Sequence, residues 1–403
     1  MSFEINNHEL SNKFSNAFNN KIDNIITDIN ETIQTEEINE IIDYNNEASD
    51  FVNFTHFEAV SCETVETIIK KSPNKNCILD PIPTKLLKEC LDVLITPITN
   101  LINKSLSTGI FPPKWKTAVI SPIIKKDKTN TNYNNYRPIS NTPFISKVLE
   151  KVIISQTVPH LNSTNKFSVN NSAYKQFFST ETLLSKINSD IMCNLENQKL
   201  TLLALLDLSA AFDSVDQEKL LLILKQRFKI EKIAYQWFQS YLTNRKQYVM
   251  VNNTQSIVTS LRYGVPQGSC LGPIAFLVYI SALTDVINNQ NISVLSYADD
   301  TQLYLSCQSD NINNKINSLN SCIDIIRQFM LTHQLKINDN KTEFIVLGTR
   351  QQLAKINQNE TTIRVGNSNI SPSSSVLNLG FVFDKTMSLK SQVNNVCKKS
   401  YFS

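Results

Sequence analysis

The stretch SYADDTQLY, residues 296–304, places two adjacent aspartates, Asp299 and Asp300, between short segments in which apolar and polar residues alternate. This alternation is typical of β-strands, and Asp is a common turn residue, so the stretch predicts a hairpin with both carboxylates at its tip. An ordinary polar turn would explain the two aspartates equally well when they are taken alone. They become informative only together with a second segment upstream.

The second segment, KLTLLALLDLSAAFD at residues 199–213, begins with a nearly continuous apolar run that ends at Asp207. Such a run predicts a strand covered on both faces, and a carboxylate at its end is costly unless a cap or an ion pair compensates it. A hairpin tip beside this strand end would bring three carboxylates together, and such a cluster repels itself unless cations fill it. Carboxylate oxygens suit Mg²⁺, and two such ions about 3.5 to 4 Å apart are the usual device for phosphoryl transfer.

A third segment, GVPQGSCLGP at residues 264–273, holds three of the seven glycines of the chain, Gly264, Gly268 and Gly272. A flexible turn would account for them. Their four-residue spacing favours a backbone that another group approaches closely, and a nucleotide or a template strand fits that interpretation.

Local patterns predict the elements around these segments. Ser61, three residues before Thr64, predicts the start of a helix, and Ser214, three residues before Gln217, predicts the start of another. QYVMVN and SIVTSLRYGV predict a pair of strands around the polar turn NNTQ. GPIAFLVYISALTDVI predicts one helix with its proline in the first turn.

Composition excludes several classes of protein. With 403 residues, of which 41% are hydrophobic, the chain can form two or three core-sized units. Its longest apolar run, residues 273–283, is about half of what a membrane span needs, and the first residues lack the pattern of a signal peptide. The eight cysteines include no C-x-x-C pair and the four histidines lie far apart, so neither a disulfide framework nor a zinc site is indicated. We therefore expect a soluble, intracellular protein.

The net charge of +3 hides an uneven distribution. Residues 1–59 hold twelve Asp and Glu against two Lys, whereas residues 70–128 hold eleven Lys against four acidic residues. The basic segment fits a polyanionic partner, and it fits a solvated lysine face equally well.

The three segments together carry a resemblance. LDLSAAFDSVD, GVPQGSCLGP and YADDTQLYLS, in that order, resemble the three palm motifs of reverse transcriptases, specifically those of non-LTR retrotransposons of the jockey and CR1 type. Flanking blocks such as NYRPISNTPFISKVLEKVI and LKINDNKTEFIVLGTRQQL extend the resemblance over roughly residues 55–398.

The resemblance implies an α+β fold, a right-hand polymerase with fingers, palm and a partial thumb behind a helical N-terminal lead-in. It divides the chain into an acidic helical lead-in (1–59), an N-terminal extension with the fingers (60–198), a palm with the catalytic motifs (199–348), and post-palm strands with the start of a truncated thumb (349–403).

The resemblance also implies roles for individual residues. Asp207, Asp299 and Asp300 match the catalytic carboxylates that hold two Mg²⁺ ions, for which Mn²⁺ is a substitute. Lys341 matches the lysine after the catalytic hairpin, a proton donor. The implied nucleotide-binding residues are Lys125 and Arg137 for the triphosphate, Phe212 as the aromatic gate against a ribose 2′-hydroxyl, and Gln267 and Gly268 in the loop that packs on nucleotide and template.

The implied activity is RNA-directed DNA synthesis with an RNA template, a DNA primer and deoxynucleoside triphosphates, acting in the nucleus. An alternative is a truncated, catalytically impaired relic that only binds RNA. Two departures from the family pattern, Lys175 and Phe178, stand where relatives often have arginine and histidine. No sequence feature specifies an oligomeric state.

Overall fold

The computed structural model describes residues 6–38, 42, 44, 52–125, 132–168, 170–175, 177–287, 292–357 and 361–401. Parts of the acidic lead-in (45–51) and of the basic segment (126–128) lie outside these residues. The secondary structure is a mixture of helices and strands, which confirms the α+β class.

The helices are α1 (Asn7–Thr35), α2 (Cys62–Lys71), α3 (Thr84–Glu89), α4 (Leu91–Thr108), α5 (Phe144–Ser163), α6 (Thr180–Glu196), α7 (Gln217–Gln226), α8 (Lys232–Leu242), α9 (Gly272–Tyr279), α10 (Leu283–Ile287), α11 (Ile312–Thr332), α12 (Arg350–Leu353) and α13 (Lys390–Tyr401). The strands are β1 (Thr117–Ile124), β2 (Tyr136–Asn141), β3 (Leu200–Leu206), β4 (Lys246–Val251), β5 (Thr254–Gln255), β6 (Thr259–Ser260), β7 (Ser293–Tyr297), β8 (Asp300–Cys307), β9 (Glu343–Leu347), β10 (Ile363–Val365), β11 (Ser368–Ile370), β12 (Ser375–Asn378) and β13 (Phe381–Asp384).

The chain divides into two compact units. The first comprises Met1–Thr32, Asp43–Phe167 and Ala210–Ile280, and the second Ile33–Ile42, Ser168–Ser209 and Ser281–Ser403. Among the described residues, no helix is both long enough and apolar enough to cross a membrane.

The first unit is built on a sheet in the order β2-β1-β4-β5, with β6 also paired to β4. Strands β1 and β2 are antiparallel, whereas β1 and β4 are parallel. Phe14 of α1 packs on this sheet against Ile120 and Val249, and its ring meets those of Tyr133 and Tyr136 edge-on at 4.9 and 4.8 Å. The sequence pattern of α1 thus buries its apolar face on the strands of the first unit.

The second unit is built on the sheet β7-β8-β3-β9, in which β3 pairs antiparallel with both β8 and β9. The predicted strand with both faces covered is confirmed, because six of the seven residues of β3 are buried. Its Leu203 belongs to a core cluster that also contains apolar residues of α6, β7, β8, β9, β12 and β13. The short hairpins β10–β11 and β12–β13 complete this unit.

The helix start predicted at Ser61 is confirmed, since its hydroxyl accepts a hydrogen bond from the N–H of Thr64 at 3.2 Å. The start predicted at Ser214 is wrong. Asp216 caps α7 by accepting from the N–H groups of Glu218 and Lys219, while the Ser214 hydroxyl donates to a carbonyl one turn earlier.

Two other predicted elements are interrupted. The strand expected in SIVTSLRYGV is reduced to β6, with β5 just before it, because the N–H of Val249 donates to the hydroxyl of Ser256 at 2.9 Å and the ladder breaks there. The helix expected in GPIAFLVYISALTDVI breaks between α9 and α10, at residues 280–282. Every residue in that break is buried, so tertiary packing overrides the helical pattern.

Candidate active site

The end of β3 carries the first predicted catalytic residue, Asp207. The strand ends at Leu206, and the carbonyl of Asp207 accepts a hydrogen bond from the N–H of Asn338 at 2.8 Å. Leu208 then forms an isolated bridge with Ile337. The backbone on both sides of the carboxylate is therefore held by the chain that precedes β9.

The hairpin β7–β8 carries the other two carboxylates. Tyr297 pairs with Asp300, so the turn consists of Ala298 and Asp299. Ala298 has a φ of +57°, a left-handed conformation that is strained for a residue with a Cβ. Such strain occurs at functional sites as well as in ordinary turns, and here it occurs next to Asp299.

The register of the second sheet brings these elements together. Leu206 of β3 pairs with Thr301 of β8, so the next position along each strand sets Asp207 beside Asp300. Asp299 lies in the adjoining turn. The three carboxylates predicted to cluster thus lie at the same end of the sheet.

The electrostatics of this cluster are those of crowded like charges. The pKa of Asp300 is raised to about 6, first by burial and then by the charges of Asp299 and Asp207, while the charge of Lys341 offsets part of the rise. The ammonium of Lys341 donates to Oδ2 of Asp207 at 3.1 Å, and the side chains are 63% and 30% exposed, respectively. The predicted Lys341 therefore belongs to the same cluster and supplies positive charge to it.

The donor set fits a hard divalent cation. The oxygens of the three aspartates are the ligands that Mg²⁺ and similar ions prefer, and Mg²⁺ uses few protein ligands because it retains water. In the part of the chain that the structure describes, no three His, Cys, Asp or Glu side chains converge as a ready metal cage. An ion bound here would therefore complete its shell with water or phosphate oxygens.

The glycine-rich segment contains a loop, residues 264–268, whose backbone packs closely against the backbone of other segments of the chain. Gly264 has a φ of +83°, and a Cβ there would lie 2.7 Å from the carbonyl oxygen of Asp213. Gly268 has a φ of +112°, and a Cβ there would collide with the carbonyl oxygen of Ser140. The interpretation that a nucleotide requires these glycines is therefore incomplete, because the close approach visible here is to the chain's own backbone.

Phe212 lies next to Asp213, and its backbone is hydrogen-bonded to the loop of residues 264–268. Its carbonyl accepts from the N–H of Val265 at 2.9 Å, and its half-buried ring stacks on Phe276 with 4.8 Å between centroids and 26° between planes. One face of the ring is thus packed. Partial exposure leaves the remainder available to a ligand.

The two predicted triphosphate cations lie on the β1–β2 ribbon of the first unit. Arg137 pairs with Ile123, and the N–H of Lys125 donates to the carbonyl of Asn135 at 2.8 Å. Since side chains alternate along a strand, positions 123 and 125 share a face, and position 137 lies opposite 123 on that same face. Both cations are exposed.

Two further carboxylates in the first unit escaped the sequence analysis. Asp213, directly after Phe212, is half-buried and accepts a hydrogen bond from Nε2 of Gln267 at 3.2 Å. Glu150 of α5 is fully buried, and its Oε2 accepts from the N–H groups of Cys270 and Leu271 at 2.6 and 3.1 Å. Burial raises the pKa of Glu150. The sequence feature that could have identified Glu150 is its charge among the apolar residues of α5.

Lys175 and Phe178, the two residues that depart from the family pattern, lie close to each other in the second unit. The ammonium of Lys175 donates to the carbonyl of Ser168 at 2.6 Å and lies 5.9 Å from the ring centroid of Phe178. Burial lowers the pKa of this lysine. Its main contacts are therefore within the protein.

The chain is similar in sequence to known proteins over most of its length. Residues 123–383 match the family model described as reverse transcriptase (RNA-dependent DNA polymerase). The chain is 28% identical over 301 residues to the RNA-directed DNA polymerase from mobile element jockey of Drosophila melanogaster, which covers 72% of this chain and 32% of that protein. It is 28% identical over 289 residues to the probable RNA-directed DNA polymerase from transposon BS of the same species, covering 70% and 31%.

A third relative, the probable RNA-directed DNA polymerase from transposon X-element of Drosophila melanogaster, is 30% identical over 245 residues, covering 60% of this chain and 26% of that protein. The chain thus matches between about a quarter and a third of the length of these relatives.

Proposed function

Because the chain belongs to the reverse transcriptase family, we propose that it is the RNA-directed DNA polymerase of a non-LTR retrotransposon of the jockey type. It would add deoxynucleotides to the 3′-hydroxyl of a DNA primer on an RNA template. The observation that carries the proposal is the register of β3 and β8, which sets Asp207 beside Asp300 with Asp299 in the adjoining turn.

Asp207 and Asp299 would be the principal metal ligands, with Asp300 as the third carboxylate beside them. When bound, two Mg²⁺ ions, or Mn²⁺ in their place, stabilise the attacking and leaving oxygens of the phosphoryl transfer. The raised pKa of Asp300 supports this assignment, since crowded carboxylates favour a cation nearby.

Lys341 has two roles in this proposal. Its ammonium donates to Oδ2 of Asp207 at 3.1 Å and so holds that carboxylate in place. Because the side chain is 63% exposed, it can also turn toward a leaving pyrophosphate and donate a proton to it.

The first unit would bind the nucleotide. Lys125 and Arg137, on one face of the β1–β2 ribbon, suit a triphosphate as a point charge and a bidentate donor. Phe212 would exclude a ribose 2′-hydroxyl with its exposed ring portion. Gln267 and Gly268 would pack on the nucleotide and the template, and the hydrogen bond from Ser140 N–H to the Gln267 carbonyl at 2.7 Å keeps that loop in place.

The proposal includes a right-hand arrangement of these parts. Residues 60–198 would form the N-terminal extension and fingers, residues 199–348 the palm, and residues 349–403 the post-palm strands and the start of the thumb, behind a lead-in over residues 1–59. The partners are an RNA template, a DNA primer and deoxynucleoside triphosphates, and the place of action is the nucleus.

Primer extension tests the proposal. The chain should extend oligo(dT) on poly(rA) with dTTP when Mg²⁺ or Mn²⁺ is present, and addition of EDTA should stop extension. A filter-binding assay with the same duplex provides the control for nucleic-acid binding. Binding without extension in either metal would refute the polymerase and leave a protein that only binds RNA.

A further inference from the structure

The side chain of Asp213 is a feature of the first unit that the proposed function does not use. Its Oδ2 accepts a hydrogen bond from Nε2 of Gln267 at 3.2 Å. Gln267 is a side chain to which the proposed function assigns contact with the nucleotide. Asp213 therefore touches the nucleotide site through a second residue.

The backbone around this contact is fixed from both directions. Val265 N–H donates to the carbonyl of Phe212 at 2.9 Å, and Gly264 N–H donates to that of Val215 at 2.7 Å. On the other side, Ser140 N–H donates to the carbonyl of Gln267 at 2.7 Å. With the main chain held in this way, the freedom that remains at position 267 is that of the side chain, including the orientation of its amide.

A carboxylate decides that orientation. An ionised Asp accepts hydrogen bonds and donates none, whereas the amide of Gln has one donor end and one acceptor end. While Asp213 is ionised, the NH₂ group of Gln267 therefore faces it, and Oε1 is the end left for a ligand. An Asn at position 213 would remove this constraint, because it can face either end of the amide.

The carboxylate occupies this position at a cost. The pKa of Asp213 is raised to about 7, because the effect of burial outweighs the lowering effect of the charges of Lys21 and Lys125. Lys21 reaches the group from α1 and Lys125 from the segment after β1, while Gln267 in the loop carries no charge. Keeping an ionised carboxylate in a desolvated position costs stability, and such a cost is accepted where a residue serves function.

We propose that Asp213 is a positioning residue that orients the amide of Gln267, so that its carbonyl oxygen faces a hydrogen-bond donor of the incoming nucleotide. The inference rests on the proposed function, since it assigns a nucleotide to the ligand side of Gln267. The inference adds a physical reason why the amide of Gln267 would accept a hydrogen bond from the nucleotide.

The test compares Asp213→Ala and Asp213→Asn with the parent in primer extension on poly(rA) and oligo(dT). The KM for dTTP should rise about tenfold in the Ala variant, as expected for one charge-assisted hydrogen bond, and by less in the Asn variant, which can still accept. The kcat should change less than the KM. Asp216→Asn is the matched control, because it removes a carboxylate three residues away that caps α7.

Two further measurements separate positioning from a structural role. In a Gln267→Ala background, Asp213→Asn should have no additional effect on the KM, because its target is gone. The melting temperature of Asp213→Asn at pH 8 should equal or exceed that of the parent. An unchanged KM in both Asp213 variants, an additive effect in the Gln267→Ala background, or a lowered melting temperature in Asp213→Asn would overturn the proposal.

An inactive parent would refute the polymerase without deciding the role of Asp213. The same variants are then compared by the rise in melting temperature that dTTP with Mg²⁺ causes. A rise in the parent that shrinks in Asp213→Ala and survives in Asp216→Asn supports the positioning role. Equal rises in all three proteins, or none in the parent, would overturn it.

Discussion

Replacement of Gly268 by alanine tests whether the loop of residues 264–268 must press against the β1–β2 ribbon. The φ of Gly268 is +112°, and a Cβ would collide with the carbonyl oxygen of Ser140. The neighbouring hydrogen bond from Ser140 N–H to the carbonyl of Gln267 is 2.7 Å long. Relief of the collision must therefore move the loop away from Ser140 and weaken that bond.

The magnitude follows from two contributions. A residue with a Cβ in the left-handed half of conformational space costs about 1 to 2 kcal/mol. Loss of the Ser140–Gln267 hydrogen bond adds about 0.5 to 1.5 kcal/mol. We expect Gly268→Ala to destabilise the protein by about 2 to 3 kcal/mol and, since a displacement of about 1 Å in a substrate site can cost 100-fold, to lower kcat/KM for dTTP by about 10- to 100-fold.

The chain offers a matched control in Gly380. This glycine is also exposed and also has a positive φ, +92°, but a Cβ there would meet nothing within 4 Å. Gly380→Ala should therefore carry the conformational contribution alone, about 1 to 2 kcal/mol, with activity within about twofold of the parent.

The assay combines urea denaturation of the parent and both variants with steady-state primer extension using dTTP. Equal destabilisation by the two substitutions, together with unchanged activity in Gly268→Ala, would refute the reasoning. In that case the loop does not need its contact with Ser140, and Gly268 serves only as a turn residue.

Three further predictions address the carboxylates and the aromatic gate. Asp299→Asn removes ligand charge without changing volume, so nucleotide incorporation should fall below about 1% of the parent while duplex binding is retained. The control is Asp92→Asn, at an exposed position on α4. Residual synthesis of a few per cent by Asp299→Asn would contradict a ligand role. Phe212→Val should lower the ratio of kcat/KM for dTTP over UTP by about tenfold or more, whereas a role confined to its stack on Phe276 predicts a loss of about 1 to 3 kcal/mol with an unchanged ratio. The pKa of Asp213 is raised from 3.8 to about 7, so the parent should lose stability as the pH rises from 4 to 7. Asp213→Asn has no carboxyl to titrate, and its free energy of unfolding relative to the parent should therefore increase over that window, by at most about 4 kcal/mol. Urea titrations at pH 4 and pH 8 measure this difference, and a constant difference would show that the carboxyl titrates normally.

Several features of this protein follow from its sequence alone. The continuous apolar run before Asp207 predicted a strand buried on both faces, and six of the seven residues of β3 are buried. The alternation around Asp299 and Asp300 predicted the β7–β8 hairpin. These predictions succeed because the periodicity of hydrophobic residues records which faces of an element are buried.

Other features depend on partners that are distant in sequence. The Cβ space of Gly264 is taken by Asp213, and that of Gly268 by Ser140, about 50 and 130 residues away along the chain. The glycine pattern indicated a close approach, but it contained nothing to say which group approaches. The same holds for Glu150, whose partners at positions 270 and 271 become neighbours only when α5 packs beneath the loop.

The sequence by itself therefore determined the α+β class, the buried strand β3 and the hairpin that carries Asp299 and Asp300, because these depend on local periodicity and on motifs within a few residues. Only the tertiary structure decided the register that sets Asp207 beside Asp300 and the hydrogen bond between the amide of Gln267 and Asp213. A strand register and a side-chain hydrogen bond are chosen by the packing of segments far apart in the chain, and a shift of one residue in that packing would turn every side chain to the opposite face.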